Sequence, residues 1–113
     1  KVALSDSALY HAVAEIRQGL VDTDLGGGIF KKRVALPGRG KRGSVRTLLA
    51  TNRNDRWIFV FGFEKNERAN ISDKELEALR LLADDLLALT KSQISAAISN
   101  GSLLEVLYET RNS

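Results

Sequence analysis

The sequence contains no cysteine and no methionine, and it has a single histidine, His11. The lack of cysteine excludes disulfide bonds, zinc–thiolate centres and cysteine nucleophiles. A single histidine excludes a two-histidine catalytic dyad and a histidine-rich metal site. No apolar run is long enough to span a membrane and the first residues lack the layout of a signal peptide, so we expect a cytoplasmic protein. Because even position 1 is not methionine, we do not expect Lys1 to be the translation start.

The length of 113 residues predicts one domain that spans the whole chain, residues 1–113. Hydrophobic residues make up 43% of the sequence and charged residues 27%, which is typical of a globular protein and not of a disordered one. A domain near this length buries well over half of the surface of its unfolded chain. It therefore needs no disulfide or metal ion for its stability.

The charges are unevenly distributed along the chain. Residues 1–56 carry 11 basic and 5 acidic side chains, whereas residues 57–113 carry 6 basic and 9 acidic ones. The interval between Asp24 and Asp55 contains eight basic side chains and no acidic one. Such a stretch repels itself unless negative charge lies nearby, and a polyphosphate backbone would supply that charge. The alternative is a solvated basic surface that pairs with the acidic second half, and the charges alone leave both interpretations open.

Capping residues and apolar periodicity predict three helices. The first begins at Ser5 and ends at about Gly19. The second begins at an S-x-x-E capping box, at Ser72, and ends at about residue 89. A similar box at Thr90 opens a shorter helix that ends at about residue 100.

Alternating apolar residues predict three strands, at 29–36, 45–51 and 56–63. The short turn between the last two makes them an antiparallel hairpin. Residues 21–28 and 37–43 are predicted as loops, and the glycines at 26–28 as a turn. Residues 103–108 are predicted as a short strand or an extended tail.

This order of elements predicts a small α+β fold, a twisted antiparallel β-sheet with the helices packed on one face. Successive side chains of a strand point to opposite faces. Lys31 and Arg33 would therefore project together from one face of the first strand. The opposite face would carry Lys32 together with the apolar side chains Phe30, Val34 and Leu36.

Three segments together resemble the RelE/ParE toxin superfamily, and most closely its HigB-like RelE branch. They are the K-x-R strand at 31–33, the loop G-x-G-K-x-G that leads to Arg46, and the run F-x-K-N-E-R-x-N-I at 63–71. The similarity extends from about Leu4 to Tyr108. It implies a RelE-like fold and a toxin of a type II toxin–antitoxin module. Such a toxin cuts mRNA on the ribosome without a metal ion or other cofactor, and a cognate antitoxin, commonly of the helix-turn-helix type, neutralises it.

The chain departs from the pattern of this family at two places. Members usually begin with a β-strand ahead of the position of Ser5, which this chain lacks. The open sheet edge that results would favour a homodimer. Members also follow the glycine loop with a glycine, an aromatic residue and an arginine. Ser44 and Val45 stand in those first two positions here, which weakens the case for stacking on the substrate at this point.

Metal-free RNA cleavage needs a base for the 2′-hydroxyl, an acid for the leaving 5′-oxygen and cations for the charge of the phosphorane. Without a histidine pair, lysine and arginine must supply these groups. By the resemblance, Lys31 and Arg33 match the basic strand positions of the family, and Arg46 matches the family arginine that would stabilise the transition state. Lys65, just past the second hairpin strand, is a candidate acid or phosphate ligand. The candidate catalytic residues are Arg46, Lys31, Arg33 and Lys65, and the candidates for contacts to RNA phosphates are Arg39, Lys41, Lys32 and Arg42.

Several other residues are interpreted as structural. His11 is expected on the surface of the first helix, and Glu67 in an ion pair within its own segment. Trp57 and Phe59 are expected in the core before any role in base stacking. Three further arginines are interpreted as solvated cations, namely Arg53, Arg56 and Arg68.

Two alternative functions stay open, because the same scaffold serves more than one activity. One is a ParE-like toxin that binds DNA gyrase and cuts no RNA. The other is an inactive relic that binds nucleic acid. The basic strand and loop favour the nuclease, because an inhibitor that binds a protein does not need a convergent cationic cluster.

Overall fold

A computed structural model of the chain describes residues 4–20, 23–36, 40–64 and 67–107. These residues form three helices, α1 (Asp6–Arg17), α2 (Asp73–Ala88) and α3 (Lys91–Ser99). They also form four strands, β1 (Thr23–Gly26), β2 (Ile29–Leu36), β3 (Gly40–Thr51) and β4 (Trp57–Glu64). The strands make one antiparallel sheet in the order β1-β2-β3-β4. The predicted α+β class, the three helices and the hairpin of β3 and β4 are confirmed.

Side-chain caps fix where the helices begin. Ser5 Oγ accepts a hydrogen bond of 3.1 Å from the N–H of Ala8 at the start of α1. At the start of α2, Ser72 Oγ accepts from the N–H of Glu75, whose carboxylate accepts from the N–H of Ser72. A matching capping box at Thr90 begins α3. These signals are local, so the sequence predicts the helix starts closely.

The strand β1 lies within the segment that the sequence predicts as a loop. Thr23 pairs with Lys31 and Asp24 with Phe30 across the β1–β2 ladder. The predicted glycine turn joins the two strands, and Gly27 has a φ of +64°, in the left-handed region that favours glycine. The turn is tight enough for the residues before it to pair with β2. The sequence does not predict this strand, because it contains glycine and aspartate, which are both rare in strands.

The strand β3 begins earlier than the sequence predicts. Leu36 pairs with Gly40 after a register shift that follows Val34. The β2–β3 hairpin thus extends into the glycine-rich segment 40–43, which the sequence predicts as a loop. The backbones of Lys41 and Arg42 therefore belong to a strand, which corrects the expectation of a flexible loop at these positions.

Helices pack on both faces of the sheet, which corrects the expectation that they pack on one. The α2 face is the one where Ala83 of α2 packs among buried residues of the central strands, Ile29, Leu48 and Ala50. The α1 face is the one where Ile16 of α1 packs with Phe30 and Leu49.

The physical reason lies in consecutive buried residues of β2 and β3. Ile29 and Phe30 are neighbours, as are Leu48 and Leu49, and all four are at most 5% exposed. Neighbouring side chains of a strand point to opposite faces, so both faces need a covering layer. An unbroken apolar run such as T-L-L-A-T at 47–51 is typical of a strand that is buried on both faces.

The C-terminal part contributes little to the core. Helix α3 has no buried side chain, and residues 104–107 form neither helix nor strand. Residue 108, where the predicted C-terminal strand or tail ends, lies outside the described residues, as do residues 1–3. In the described part of the chain, no helix has the length and apolar character needed to cross a membrane.

Candidate nucleic-acid interface

Three basic side chains lie together on the α2 face, along the ladder of β2 and β3. Arg33 of β2 lies directly opposite Arg46 of β3. Lys31, two residues before Arg33, lies opposite Leu48, two residues after Arg46. Directly opposite residues of an antiparallel pair have Cβ atoms about 4.5–5.5 Å apart, so the three basic residues share one small surface. We refer to Lys31, Arg33 and Arg46 as the basic cluster. The prediction that Lys31 and Arg33 project from the same face is confirmed.

The electrostatics of the basic cluster favour an anion. Cations that face each other directly across a strand pair destabilise the sheet unless a counter-charge lies nearby. Lys31 and Arg46 are half-buried, and within the described residues neither side chain has a hydrogen bond or an ion pair. The strands that carry the cluster contain no acidic residue between Asp24 and Asp55. A bound phosphate would relieve this repulsion.

Packed residues surround the strand positions that carry the cluster. Arg46 pairs with Arg33 on one side and with Phe63 of β4 on the other. Phe63 is 3% exposed, and Leu48, the next residue on this face of β3, is fully buried. Side chains that project from packed strands are held more precisely than side chains on loops.

A fourth cation, Arg68, lies beside the basic cluster. Its guanidinium carbon lies 6.0 Å from the ring centroid of Phe63 and 5.7 Å from that of Phe61. Arg68 Nη1 donates to Glu75 Oε1 over 2.6 Å. This hydrogen bond, followed by the one from the N–H of Ser72, lowers the pKa of Glu75 to about 2. The interpretation of Arg68 as a solvated cation is therefore wrong. The sequence does not indicate its partners, because they come close to Arg68 only in the folded chain.

Lys32 lies on the opposite face, in the layer between the sheet and α1. Its side chain is 9% exposed, and its Nζ lies 2.7 Å from Glu15 Oε1. It also donates to the carbonyl oxygen of Leu20 over 3.0 Å. These partners fix α1 and the segment after it on the sheet. We therefore leave Lys32 out of the set of phosphate-binding candidates.

Four other candidates have no described side chain. Arg39 and Lys65 lie outside the described residues. The side chains of Lys41 and Arg42 are also outside that part of the structure. Their roles remain predictions from the sequence.

The position at which the family resemblance leads us to expect an aromatic residue belongs to the core here. Val45 pairs with Val34 on the α1 face and is 1% exposed. It points away from the face that carries Arg46, its neighbour in the chain. Trp57 and Phe59 are half-buried and pack against the core cluster of the α1 face, as predicted.

His11 lies at an open cleft of about 400 Å³ between α1 and residues 33–35 of β2, which Glu15 also lines. His11 Nδ1 lies 2.8 Å from the carbonyl oxygen of Ser7, one turn earlier in the same helix. The ring is thus held against its own helix and is exposed, in agreement with the interpretation of His11 as a helix-surface residue.

The remaining charged residues have structural partners that differ from those expected. Glu67 accepts a hydrogen bond of 2.9 Å from the N–H of Glu64, in place of the ion pair predicted for it. Arg56 donates to main-chain carbonyls at the end of α2. The Arg53 guanidinium lies 5.2 Å from the ring centroid of Phe30, on the α1 face. Over the described ranges, no group of three or more acidic or histidine residues is arranged to hold a metal ion.

The fold and the site define a small α+β protein whose sheet presents clustered cations on one face. A comparison with protein-family models matches residues 1–106 to the family of the RelE toxin of the RelE/RelB toxin–antitoxin system. Because this match covers nearly the whole chain, the chain belongs to the RelE toxin family. Comparisons with curated proteins and with solved structures give no match. The resemblance to the RelE/ParE superfamily is thereby confirmed, and the HigB-like branch stays a prediction.

Proposed function

We propose that this member of the RelE toxin family is a ribosome-dependent endoribonuclease that cuts mRNA and so inhibits translation. The observation that carries the proposal is the pair Arg33 and Arg46, directly opposite each other with Lys31 on the same face. A guanidinium binds a phosphate through two parallel hydrogen bonds. Two opposed guanidinium groups therefore suit a phosphate whose negative charge grows during the reaction.

The proposed chemistry is transfer of the phosphorus from one ribose oxygen to another. The 2′-oxygen bonds to the adjacent phosphorus and the bond to the 5′-oxygen breaks, which leaves a 2′,3′-cyclic phosphate and a 5′-hydroxyl. Lys31 is the candidate for the group that removes the proton of the 2′-hydroxyl. Lys65, which follows the second hairpin strand in the sequence, is the candidate for the group that gives a proton to the leaving 5′-oxygen. Arg33 and Arg46 bind the two non-bridging oxygens, and none of these roles requires a metal ion or other cofactor.

The partners follow from the same proposal. The substrate is mRNA on the ribosome, so the toxin would act in the cytoplasm. A cognate antitoxin of the helix-turn-helix type would neutralise it. The homodimer predicted from the sequence stays a prediction.

Induced expression of the full-length protein tests the proposal. Wild type, Arg46→Ala and Arg53→Lys are compared by growth and by primer extension on a reporter mRNA, with and without a start codon. Arg53 is a matched control, because it is an arginine over a phenylalanine ring on the other face of the sheet. We expect discrete cuts in translated message only, which Arg46→Ala abolishes and Arg53→Lys retains.

Two results would contradict the proposal. Growth arrest with intact message and damaged DNA would indicate a toxin that acts on gyrase. Expression without arrest and without cuts would indicate an inactive protein that only binds nucleic acid.

A further inference from the structure

Arg68 presents a planar group that is fixed on several sides. The two rings beneath it lie with their centroids 6.0 Å apart and tilted by 51°, and the guanidinium lies over both. Glu75 binds one edge of the guanidinium and is itself bound by the N–H of Ser72. The side chain of Arg68 nevertheless remains 38% exposed. One surface is supported by aromatic rings while another remains in contact with solvent.

This group lies on the same face as the basic cluster. Phe63 pairs with Arg46, and Phe61 pairs with Leu48, which lies opposite Lys31. Paired residues of adjacent strands share a face. Arg33, Arg46 and the rings beneath Arg68 therefore follow one another across the α2 face, from β2 through β3 to β4.

Among the described residues, the aromatic side chains of the sheet do not offer a stacking surface at this place. Phe63 is buried, and Phe61 packs against the core cluster of the α2 face. Trp57 and Phe59 pack on the α1 face. Val45, the neighbour of Arg46 in β3, is buried on that face too. RNA bases stack on arginine planes as well as on aromatic rings.

We propose that Arg68 is the stacking platform for one nucleobase of the RNA whose phosphate the basic cluster binds. The order from the sheet outward is then phenylalanine, guanidinium, base. The inference rests on the proposed ribonuclease function and adds to it a contact that selects the position of the RNA. Glu75 is a positioning residue, because it holds the guanidinium over the rings and does not touch the RNA.

The test uses ribosomes programmed with an mRNA that carries 2-aminopurine at one position of the A-site codon. The ribose at the scissile position is 2′-O-methylated, which blocks cleavage. We expect wild type to quench the fluorescence of 2-aminopurine at one codon position, because stacking quenches it. Arg68→Lys keeps the charge and loses the plane, so the quenching should disappear. Arg53→Lys, which changes an arginine over a ring on the other face, should quench as wild type does.

The main result of a second experiment comes from the wild-type protein, so it does not depend on the folding of a variant. Wild-type protein cleaves mRNA with a normal ribose at the scissile position and an abasic residue at the quenched position. Loss of one stacked base should lower kcat/KM by about 5-fold to 150-fold. For Arg68→Lys the same abasic residue should change kcat/KM little, because the stacking partner is already absent. An abasic residue at a position without quenching should affect both proteins equally.

The outcomes separate this inference from the function on which it rests. Cleavage by wild type with equal quenching by Arg68→Lys would overturn the inference and leave the ribonuclease function intact. Equal losses in both proteins from the abasic residue would overturn it too. No cleavage by wild type would overturn the proposed function, and the inference with it.

Discussion

Lys32 Nζ and Glu15 Oε1 lie 2.7 Å apart, between the sheet and the helix α1. The two ends of this ion pair differ in exposure, because 9% of the Lys32 side chain and 52% of the Glu15 side chain are exposed. The buried ammonium therefore depends on the glutamate as its charged partner, whereas water already solvates the glutamate.

The first prediction is that removal of the glutamate costs more stability than removal of the lysine. Glu15→Ala leaves a buried ammonium with the Leu20 carbonyl as its remaining partner, and we expect a loss of about 2 kcal/mol in the free energy of unfolding. Lys32→Met replaces the buried stem with apolar atoms, so we expect a loss below about 1 kcal/mol. Urea unfolding measures both, with the exposed Glu77→Ala as control. Equal losses would show that the ion pair is not asymmetric.

A second prediction concerns Arg56, which caps the end of α2. Its Nη1 donates to the carbonyl oxygens of Leu86, Leu87 and Leu89 over 3.0, 3.2 and 2.6 Å. The carbonyl groups in the last turn of a helix lack the usual partner four residues later, and the Leu86 oxygen otherwise accepts only a long bond of 3.4 Å from the N–H of Leu89. A cation there also interacts favourably with the helix dipole. We expect Arg56→Ala to lower the free energy of unfolding by about 2 kcal/mol. Lys74→Ala, on the exposed side of α2, should change it by less than about 0.5 kcal/mol. Similar small effects of both changes would contradict this role.

A third prediction concerns the turn between β1 and β2. Gly27 has a φ of +64°, and a Cβ atom there would lie 3.0 Å from Arg80 Cγ. Gly27→Ala should therefore cost about 1–2 kcal/mol from the backbone alone. Displacement of Arg80, which donates to the carbonyl of Leu25, would add to this loss. Gly19→Ala is the control, because its φ is +92° and no heavy atom would lie within 4 Å of its Cβ. Thermal unfolding should show the larger loss for Gly27→Ala, and the reverse order would contradict the prediction.

A fourth prediction follows from Glu75, whose pKa is lowered to about 2 by the hydrogen bond from Arg68 and then by that from Ser72. The folded state thus holds the proton less tightly than the unfolded state, where the pKa of this carboxyl is about 4.5. The stabilisation is complete above that unfolded value and is lost as the pH falls toward about 2. Urea unfolding between pH 5 and 2 should show a smaller loss of stability for Glu75→Gln than for wild type. Glu77→Gln, exposed on the same helix, should follow wild type. If the stability of Glu75→Gln depended on pH as steeply as that of wild type, the lowered pKa of Glu75 would be contradicted.

Local signals made much of this fold predictable. Ser72 and Glu75 form a capping box within one helical turn, so their spacing alone indicates where α2 begins. The alternation in β2 likewise placed Lys31 and Arg33 on one face, because side-chain direction depends only on strand periodicity. The consecutive leucines at 48 and 49 also carried a signal for a sheet covered on both faces.

The rest depended on contacts between distant parts of the chain. The side chain of Arg68 is held by Phe61, Phe63 and Glu75. These residues come close together only when β4 and α2 pack against each other. Lys32 is a lysine between two other basic residues, as is typical of a phosphate-binding segment. The alternation of β2 nevertheless placed its side chain on the same face as the apolar residues. Its partner Glu15 lies on α1, and only the packing of α1 on that face pairs the two.

The most direct test of the central claim is a double-mutant cycle on Arg33 and Arg46 in single-turnover cleavage of mRNA on programmed ribosomes. If both guanidinium groups bind the same phosphate, each alanine variant should lose about 100-fold or more in rate. The double variant should then lose far less than the product of the two single losses, because the residues act as a unit. Losses that multiply independently, or single variants that cleave as fast as wild type, would contradict the account.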